Sequence, residues 1–304
     1  MTSSRHPSHA AIPANTSITF EKKNHHYVPK FWQCNFRNSS GQLFGRKGNS
    51  IELVSPKNTM KGDWLYTVFD INWNPSDSLE NELSRIESST AALFRSISTL
   101  GSISTKDNRD QLCGALALQA CRHPDIMRRG HRRSKEIGAL MAVAQSYSLS
   151  DFIMEMAKFG MADSEAKDYY QILMTTSNEQ IAQEFSKLNA LSPQDSQLPE
   201  QLALEAQPFI CDELKKMEIT LLDATSNADF VLGDTPLPQD NLSHGFSIPI
   251  SRSVAVWAKP AIAQQTIMAR RTATTEEITE VNKAQWDNSL YVVVGPNKAV
   301  LEAL

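Results

Sequence analysis

The spacing of hydrophobic residues divides the chain into three parts. From Ile18 to about Val54, short apolar–polar alternations are interrupted by turn residues, which is typical of strands, and GQLFGRKGNSIELV predicts a hairpin. From Ser78 to about Leu191 the apolar residues recur every three or four positions, which predicts amphipathic helices. From about residue 215 onward the alternation returns in MEITLLDAT, FSIPIS, VAVWAKP and LYVVVG.

These three parts predict an α+β fold. We expect short N- and C-terminal β-strands to join in one sheet, with a large helical middle region at about 78–191 and a β-rich part at about 215–304. Residues 1–17, rich in Ser, Pro and Ala, predict a flexible leader, and residues 18–304 predict a single domain. Within the last part, TTEEITEVNKAQWDNS predicts a helix that starts with a capping box.

The composition of the chain indicates in which cellular compartment the protein works and which classes of partner are unfavourable. The chain of 304 residues has a net charge of −4 and a pI near 6.0, so its overall charge does not attract nucleic acid or anionic membranes. No stretch approaches the roughly 18 apolar residues of a transmembrane helix, and the N-terminal segment lacks a secretory signal core. The four cysteines contain no CxxC pair. We therefore predict a reduced, cytoplasmic protein without membrane contact.

The segment NHHYVPKFW, residues 24–32, places two histidines before an extended Val-Pro step. Successive side chains of a strand face opposite sides, so His25 and His26 cannot both line one pocket. Val28 is extended because Pro29 follows, and Pro29 has no N–H to donate, so the strand ends here or lies at an edge. We predict that His26 faces a site, as a metal ligand or general base, and that His25 is structural. A histidine bonded to a backbone carbonyl among aromatics explains the same pattern.

Asp234 is the second candidate. It lies in FVLGDTPLP, where an apolar strand ends in Gly-Asp-Thr-Pro. A carboxylate at a strand end can bind a metal ion or orient a water molecule. The same side chain can instead accept hydrogen bonds from the N–H groups of its own turn. The sequence leaves both roles open.

Polar residues on the predicted helices supply further candidates. Gln119 and Arg122 in LQACRHPD are three positions apart and share a helix face. Arg122 can bind a carboxylate or a phosphate, or it can complement the helix dipole. Glu80 and Glu87 are seven positions apart, so they either converge on a site or belong to a solvated acidic face.

A dense basic cluster, MRRGHRRSKE at residues 127–136, contains Arg132 and Arg133. It can contact phosphates, although charge runs of this kind are commonly solvated helix ends. The sequence contains no GxGxxG, GxxxxGK[ST] or HExxH motif, and no GxSxG in a strand–turn–helix setting. Dinucleotide-binding, P-loop, zincin and α/β-hydrolase classes are therefore disfavoured.

HHYVPKFWQCNF resembles the opening His-His-x-x-Pro-x-x-x-Leu-x-x-Phe of a bacterial family, domain-of-unknown-function family 4238. The similar motifs follow in the family's order: Tyr66 before LENELSRIE, then Gln119, Arg122 and Pro124, then Asp234 and Pro236, then FSIPIS. The resemblance covers about residues 24–294. The chain departs from the pattern at Cys34 or Asn35, where a Leu-like residue is usual, and in having Gly-Asp-Thr-Pro instead of Ser-Asp-Asn-Pro.

This resemblance implies no established activity. It does imply that the polar residues of the motifs belong together, and a compact α+β fold could bring them to one cleft. These residues are His25, His26, Gln119, Arg122 and Asp234.

The first hypothesis of function is a hydrolase-like enzyme, most concretely a nuclease that acts on nucleic-acid phosphodiesters in bacterial competition or phage defence. Its catalytic candidates are His26, His25, Asp234 and Glu87, and Asp234 and His26 are the candidate ligands of a divalent metal ion. Its substrate-binding candidates are Arg122, Gln119, Arg132 and Arg133.

The alternative is a non-catalytic protein that binds a partner, such as a cognate immunity or defence accessory protein. The net charge of −4 suits a partner with a basic surface. A third hypothesis, a nucleic-acid-binding protein that uses only the basic cluster, predicts binding that weakens steeply with salt. The sequence predicts no oligomeric state.

Overall fold

The structure is a computed structural model. It describes residues 24–63, 65–66, 68–69, 75–76, 78–99, 104–122, 136–159, 161–181, 198–238, 242–263 and 265–304. The predicted leader at residues 1–17, and Arg132 and Arg133 of the basic cluster, lie outside these ranges. Among the described helices, none is long and apolar enough to cross a membrane.

The described chain has mostly short strands before Ser78, helices from Ser78 to Lys215, and mostly strands from Met217 onward. The strands are β1 (Asn24–His26), β2 (Phe44–Lys47), β3 (Ser50–Leu53), β4 (Lys61–Asp63), β5 (Val68–Phe69), β6 (Pro75–Ser76), β7 (Met217–Asp223), β8 (Leu232–Gly233), β9 (Phe246–Ser251), β10 (Val254–Pro260), β11 (Ala269–Thr272) and β12 (Val293–Gly295). The helices are α1 (Lys30–Cys34), α2 (Ser78–Ser98), α3 (Lys106–Cys121), α4 (Leu149–Ala157), α5 (Asp163–Thr175), α6 (Leu198–Lys215), α7 (Thr275–Asn288) and α8 (Lys298–Glu302). Further helical residues occur at 136–142 and 178–181.

The described strands form two four-stranded sheets and two two-stranded ones. The first sheet has the order β3-β2-β12-β8, so a hairpin near the start of the described chain pairs with strands from its last third. All neighbours in this sheet are antiparallel, with Gly45 opposite Val294. The second sheet has the order β11-β7-β10-β9, in which β11 is parallel to β7. The small sheets pair β1 with β4 and β5 with β6.

The α+β class is confirmed, but the predicted distribution of strands is only partly right. Strands β4, β5 and β6 lie between the N-terminal hairpin and α2, so strands are spread more widely than the terminal parts. The predicted single sheet of terminal strands corresponds to β3-β2-β12-β8, whereas the other C-terminal strands form a second sheet. Helix α6 begins at Leu198, after the predicted helical region at about 78–191. Its Pro199 lies in the first turn, where a missing N–H costs little.

Helix ends follow the predicted chemistry where they are described. Thr274 accepts a hydrogen bond from Glu277 N, and the Glu277 side chain accepts one from Thr274 N, which is the capping box predicted for α7. Pro29 precedes α1 as its cap residue. Its extended backbone directs the chain from β1 into the helix.

Helix α1 connects β1 to the second sheet. Trp32 is 2% exposed, and its Nε1 donates to the Pro249 carbonyl at 3.0 Å. Asn35 Nδ2 donates to the Ile250 carbonyl at 3.0 Å, so α1 is fixed to β9 by two side chains. These residues border the largest buried cluster, which α2, α3 and both faces of β10 help to form. The segment NHHYVPKFW is therefore held against FSIPIS.

Candidate functional site

The chain turns sharply between β1 and α1. Strand β1 pairs with β4, with His25 opposite Gly62 and His26 opposite Lys61. The Met60 carbonyl then accepts hydrogen bonds from both Tyr27 N and Val28 N, at 3.1 and 3.5 Å. Met60 has φ of 54°, a left-handed conformation that is uncommon for a residue with a side chain. We call residues 25–29, which include this turn, the corner.

Three consecutive carbonyl groups of the corner accept hydrogen bonds from side chains. Arg122 Nη2 donates to the His26 carbonyl at 2.9 Å, and Gln119 Nε2 donates to the Tyr27 carbonyl at 2.8 Å. Gln33 Nε2 donates to the Val28 carbonyl at 2.8 Å. Arg122, Gln119 and Gln33 are all buried. Where the chain leaves β1, these carbonyls are no longer paired within a sheet, and the three side chains supply the hydrogen bonds that they would otherwise lack.

Arg122 is the centre of a buried network of polar groups. Its Nη1 donates to Glu87 Oε1 at 2.7 Å, and its guanidinium carbon lies 5.2 Å from the centre of the Tyr66 ring. The Tyr66 hydroxyl donates to the Arg122 carbonyl at 3.2 Å. Burial alone would lower the pKa of Arg122, but Tyr66 and Glu87 outweigh burial and raise it. Arg122 is therefore a permanent cation beneath the corner.

His25 is fully buried, and the observed contacts give it a structural role. Its Nδ1 accepts a hydrogen bond from Tyr66 N at 2.7 Å. The rings of His25 and Tyr66 stack with centres 5.5 Å apart and planes 8° apart. The ring thereby fixes the segment that carries Tyr66 against β1.

His26 lies on the opposite face of β1 and is half-buried, as strand alternation predicts. Its Nε2 lies 2.8 Å from the Pro56 carbonyl, which can only accept, so Nε2 carries the proton and Nδ1 is the free base in the neutral ring. Burial lowers the pKa of His26, although Pro56 and Glu87 act in the opposite direction. Lys61 and Lys30 also lower it. At neutral pH the ring is a neutral base in a fixed orientation.

Asp234 belongs to a different part of the fold. Its fully buried carboxylate accepts hydrogen bonds from Leu290 N and Tyr291 N at 2.9 Å and from Val292 N at 3.2 Å. Burial raises the pKa of Asp234, and the three N–H donors oppose that shift. The sequence left open that Asp234 accepts hydrogen bonds from the N–H groups of its own turn. In the structure it does accept from backbone N–H groups, but these three belong to the distant segment before β12. None of its described hydrogen bonds reaches the corner.

Two amide side chains that the sequence did not suggest hold the chain around Asp234. Asn282 accepts from Val231 N and donates to the Asp229 carbonyl, both at 3.0 Å. Gln285 accepts from Gly233 N and donates to the Pro236 carbonyl, both at 3.0 Å. The available signal was their spacing of three on the buried face of α7, which matches the spacing of Gln119 on α3 and Arg122 at the C-cap of that helix.

The structure thus brings together five of the sequence-predicted residues. His25, His26, Gln119 and Arg122 meet at the corner, with Glu87 in contact with Arg122. In the described part of the chain, no group of three or more His, Cys, Asp or Glu side chains is placed to hold a metal ion. A divalent metal ion at Asp234 and His26 therefore stays a prediction.

Cys113 and Cys121 are poorly suited to act as nucleophiles. Cys113 and Cys121 are buried in α3, and burial raises the pKa of each thiol to about 11. Both thiols are protonated at neutral pH, and the thiolate is the reactive form. The structure describes all four cysteines as free.

Comparison with known proteins gives one match. A family model described as "Protein of unknown function (DUF4238)" matches residues 24–299. Neither the curated proteins nor the solved structures gave a match.

Proposed function

The chain belongs to the DUF4238 family, whose description assigns no function, and from the geometry of its own residues we propose that it is a hydrolase-like protein with His26 as general base. One observation carries this proposal. His26 is held by the Pro56 carbonyl so that its unprotonated Nδ1 is fixed, with a lowered pKa, in a half-buried position. A base of this kind can take a proton from water or from a substrate hydroxyl.

Charges around His26 favour an anionic substrate. Lys30 and Lys61 are close enough to lower its pKa, and Lys30 is exposed at the start of α1. Positive charge near the base attracts a phosphate and stabilises the negative charge that develops during hydrolysis. The most concrete proposal is therefore a nuclease acting on phosphodiesters, in bacterial competition or phage defence.

Arg122 and Glu87 position the base in this proposal. Arg122 is 2% exposed and is bonded to Glu87 and to the His26 carbonyl, so it fixes the backbone that carries the ring. Glu87 keeps a quarter of its side chain exposed beside a surface depression that Pro29 and Arg122 also line. It can accept a hydrogen bond from the substrate.

The test replaces His26 by Gln, which keeps a donor for the Pro56 carbonyl but removes the base. We expect cleavage of RNA or single-stranded DNA to fall by about 100-fold or more. The matched control is His244→Gln, at an exposed position of the short helix Leu242–His244, with unchanged cleavage. A purified protein that leaves both nucleic acids intact, with and without Mg²⁺, Mn²⁺ or Zn²⁺, would falsify the nuclease.

A non-catalytic partner-binding protein, such as an immunity or defence accessory protein, is the second candidate. It is favoured because Gln119, Arg122 and Asp234 are all bonded within the protein. It predicts a one-to-one complex with a cognate protein that His26→Ala leaves intact, and no cleavage by the wild type. Loss of the complex in His26→Ala, with the fold unchanged by circular dichroism, would contradict it.

A further inference from the structure

A second cavity, lined by none of the corner residues, has the composition of a ligand site. It has a volume of about 380 Å³, within the range of small-molecule sites. Arg46 and Gly48 of the N-terminal hairpin form one part of its wall. Trp286 and Asp287 at the end of α7, the loop at 289–292 and Val293 of β12 form the rest.

Arg46 and Trp286 make a flat cationic surface in this wall. The Arg46 guanidinium carbon lies 4.2 Å from the centre of the Trp286 ring. Arg46 Nε donates to the Gly48 carbonyl at 3.0 Å and Nη1 donates to the Leu301 carbonyl at 2.6 Å. The guanidinium is therefore held in place, and Nη2 makes no hydrogen bond within the described residues.

The charge and exposure of the remaining wall indicate the ligand's chemistry. The charged residues among the described lining are Arg46 and Asp287. Asp287 pairs with Lys283 at 2.9 Å, whereas Arg46 has no carboxylate partner among the described lining residues. Tyr291 is 63% exposed and Leu290 is 49% exposed, which leaves aromatic and apolar surface for a ligand to cover. Asp234 fixes their loop through three N–H groups, so this surface is preorganised.

We propose that this cavity binds a nucleotide. The base stacks on the aromatic and guanidinium surfaces, and the phosphate accepts hydrogen bonds from Arg46 Nη2. Asp234 is a positioning residue for this site, because it holds the loop that carries Tyr291. The proposal does not depend on hydrolysis at His26.

The test measures binding of adenosine monophosphate and of a single-stranded oligoadenylate of about six nucleotides by titration calorimetry. We expect Tyr291→Ala to weaken binding about tenfold or more, the loss of one stacked base. The matched control is Phe209→Ala, an aromatic on α6 that is 70% exposed, with unchanged binding. Arg46→Gln is expected to weaken binding and to reduce its dependence on salt.

Each outcome bears on the cavity alone. Equal affinity for the two probes assigns the site to a free nucleotide, and tighter binding of the oligoadenylate assigns it to single-stranded nucleic acid; both support the proposal. Absence of saturable binding of either probe overturns it, as does a Tyr291→Ala protein that is folded and binds like the wild type. His26→Gln is expected to bind both probes as the wild type does. Failure of the hydrolase proposal would be seen in a separate measurement, as unchanged cleavage by His26→Gln.

Discussion

At the residue scale, the corner shows that a polar side chain on a helix can have either of two roles: it can bind a substrate, or it can hold the protein's own backbone. Arg122 and Gln119 were predicted to bind substrate because they share a helix face and belong to the motifs that resemble the family's. The structure shows them bound to the carbonyls of His26 and Tyr27. A sequence gives no means of separating the two roles, because a buried carbonyl and a ligand oxygen are both hydrogen-bond acceptors.

Replacing Arg122 by Met is expected to lower the free energy of unfolding by about 3 kcal/mol. The change leaves the His26 carbonyl without its donor and Glu87 without its cation. The measurement is urea unfolding followed by circular dichroism. Arg85→Met is the matched control, because Arg85 is 74% exposed in its side chain and its ion pair among the described residues is with the nearby Glu82; its expected change is below about 1 kcal/mol. Equal effects of the two substitutions would contradict a central role for Arg122.

The pH dependence of stability should report His26. Its pKa in the folded protein is lower than in the unfolded chain, so below about pH 6.5 the unfolded state binds the proton first. We expect stability to be fully present above that pH and to fall as the solution becomes more acidic. Urea midpoints between pH 5 and 7.5 measure the effect. His26→Gln should make the profile flatter, and an unchanged profile in that variant would assign the dependence to other groups.

At the element scale, α7 holds strand β8 in place through two side chains. Asn282 and Gln285 make hydrogen bonds with four backbone groups between Asp229 and Pro236. This contact requires close approach. A Cβ on Gly233 would lie against Ser289 Oγ and 2.7 Å from the Gln285 carbonyl oxygen. The carbonyl belongs to the helix backbone and cannot move aside without disturbing α7.

Gly233→Ala is therefore expected to destabilise the protein by about 2 kcal/mol. Gly114→Ala is the control with the opposite sign. Gly114 lies inside α3, and apart from the helix's own backbone and its chain neighbours no atom of the described residues lies within 4 Å of the added Cβ, so alanine should stabilise by about 0.5–1 kcal/mol. Thermal melting of both variants tests the pair. A Gly233→Ala protein as stable as the wild type would show that the approach of β8 to α7 is not tight.

Elements with a strong local signal were predictable, and elements made by distant contacts were not. The capping box of α7 and the amphipathic face of α2 depend on residues within one or two turns, and both helices lie where they were predicted. Strand β4 has three residues and the sequence Lys-Gly-Asp, which has no strand propensity. It is a strand because it pairs with β1, and no local pattern contains that information.

At the scale of the whole molecule, the first sheet joins chain segments about 250 residues apart: Arg46 of β2 pairs with Val293 of β12. The sequence predicted both sets of strands but not which would be neighbours, because register depends on matched pairs of buried faces. In the same way, the motifs predicted one cleft, whereas the structure places His26 and Asp234 in separate hydrogen-bond networks.

A protein truncated after Val292 is expected to lose cooperative unfolding. The truncation removes β12, which separates β2 from β8, and it removes the fully buried Leu301 of α8. Thermal melting by circular dichroism is the measurement. Truncation after Glu302, beyond α8, is the matched control and should melt cooperatively. Cooperative melting of the shorter protein would show that the first sheet is not required for the fold.

The pairing of β2 with β12 also has a consequence during protein synthesis. The hairpin β2–β3 leaves the ribosome long before Val293 is made, at rates of roughly 5–20 residues per second. Throughout that interval the edge of β2 that β12 will occupy is open to pairing with other nascent chains. We expect the newly made protein to need a chaperone, or slow elongation, until its last strand arrives.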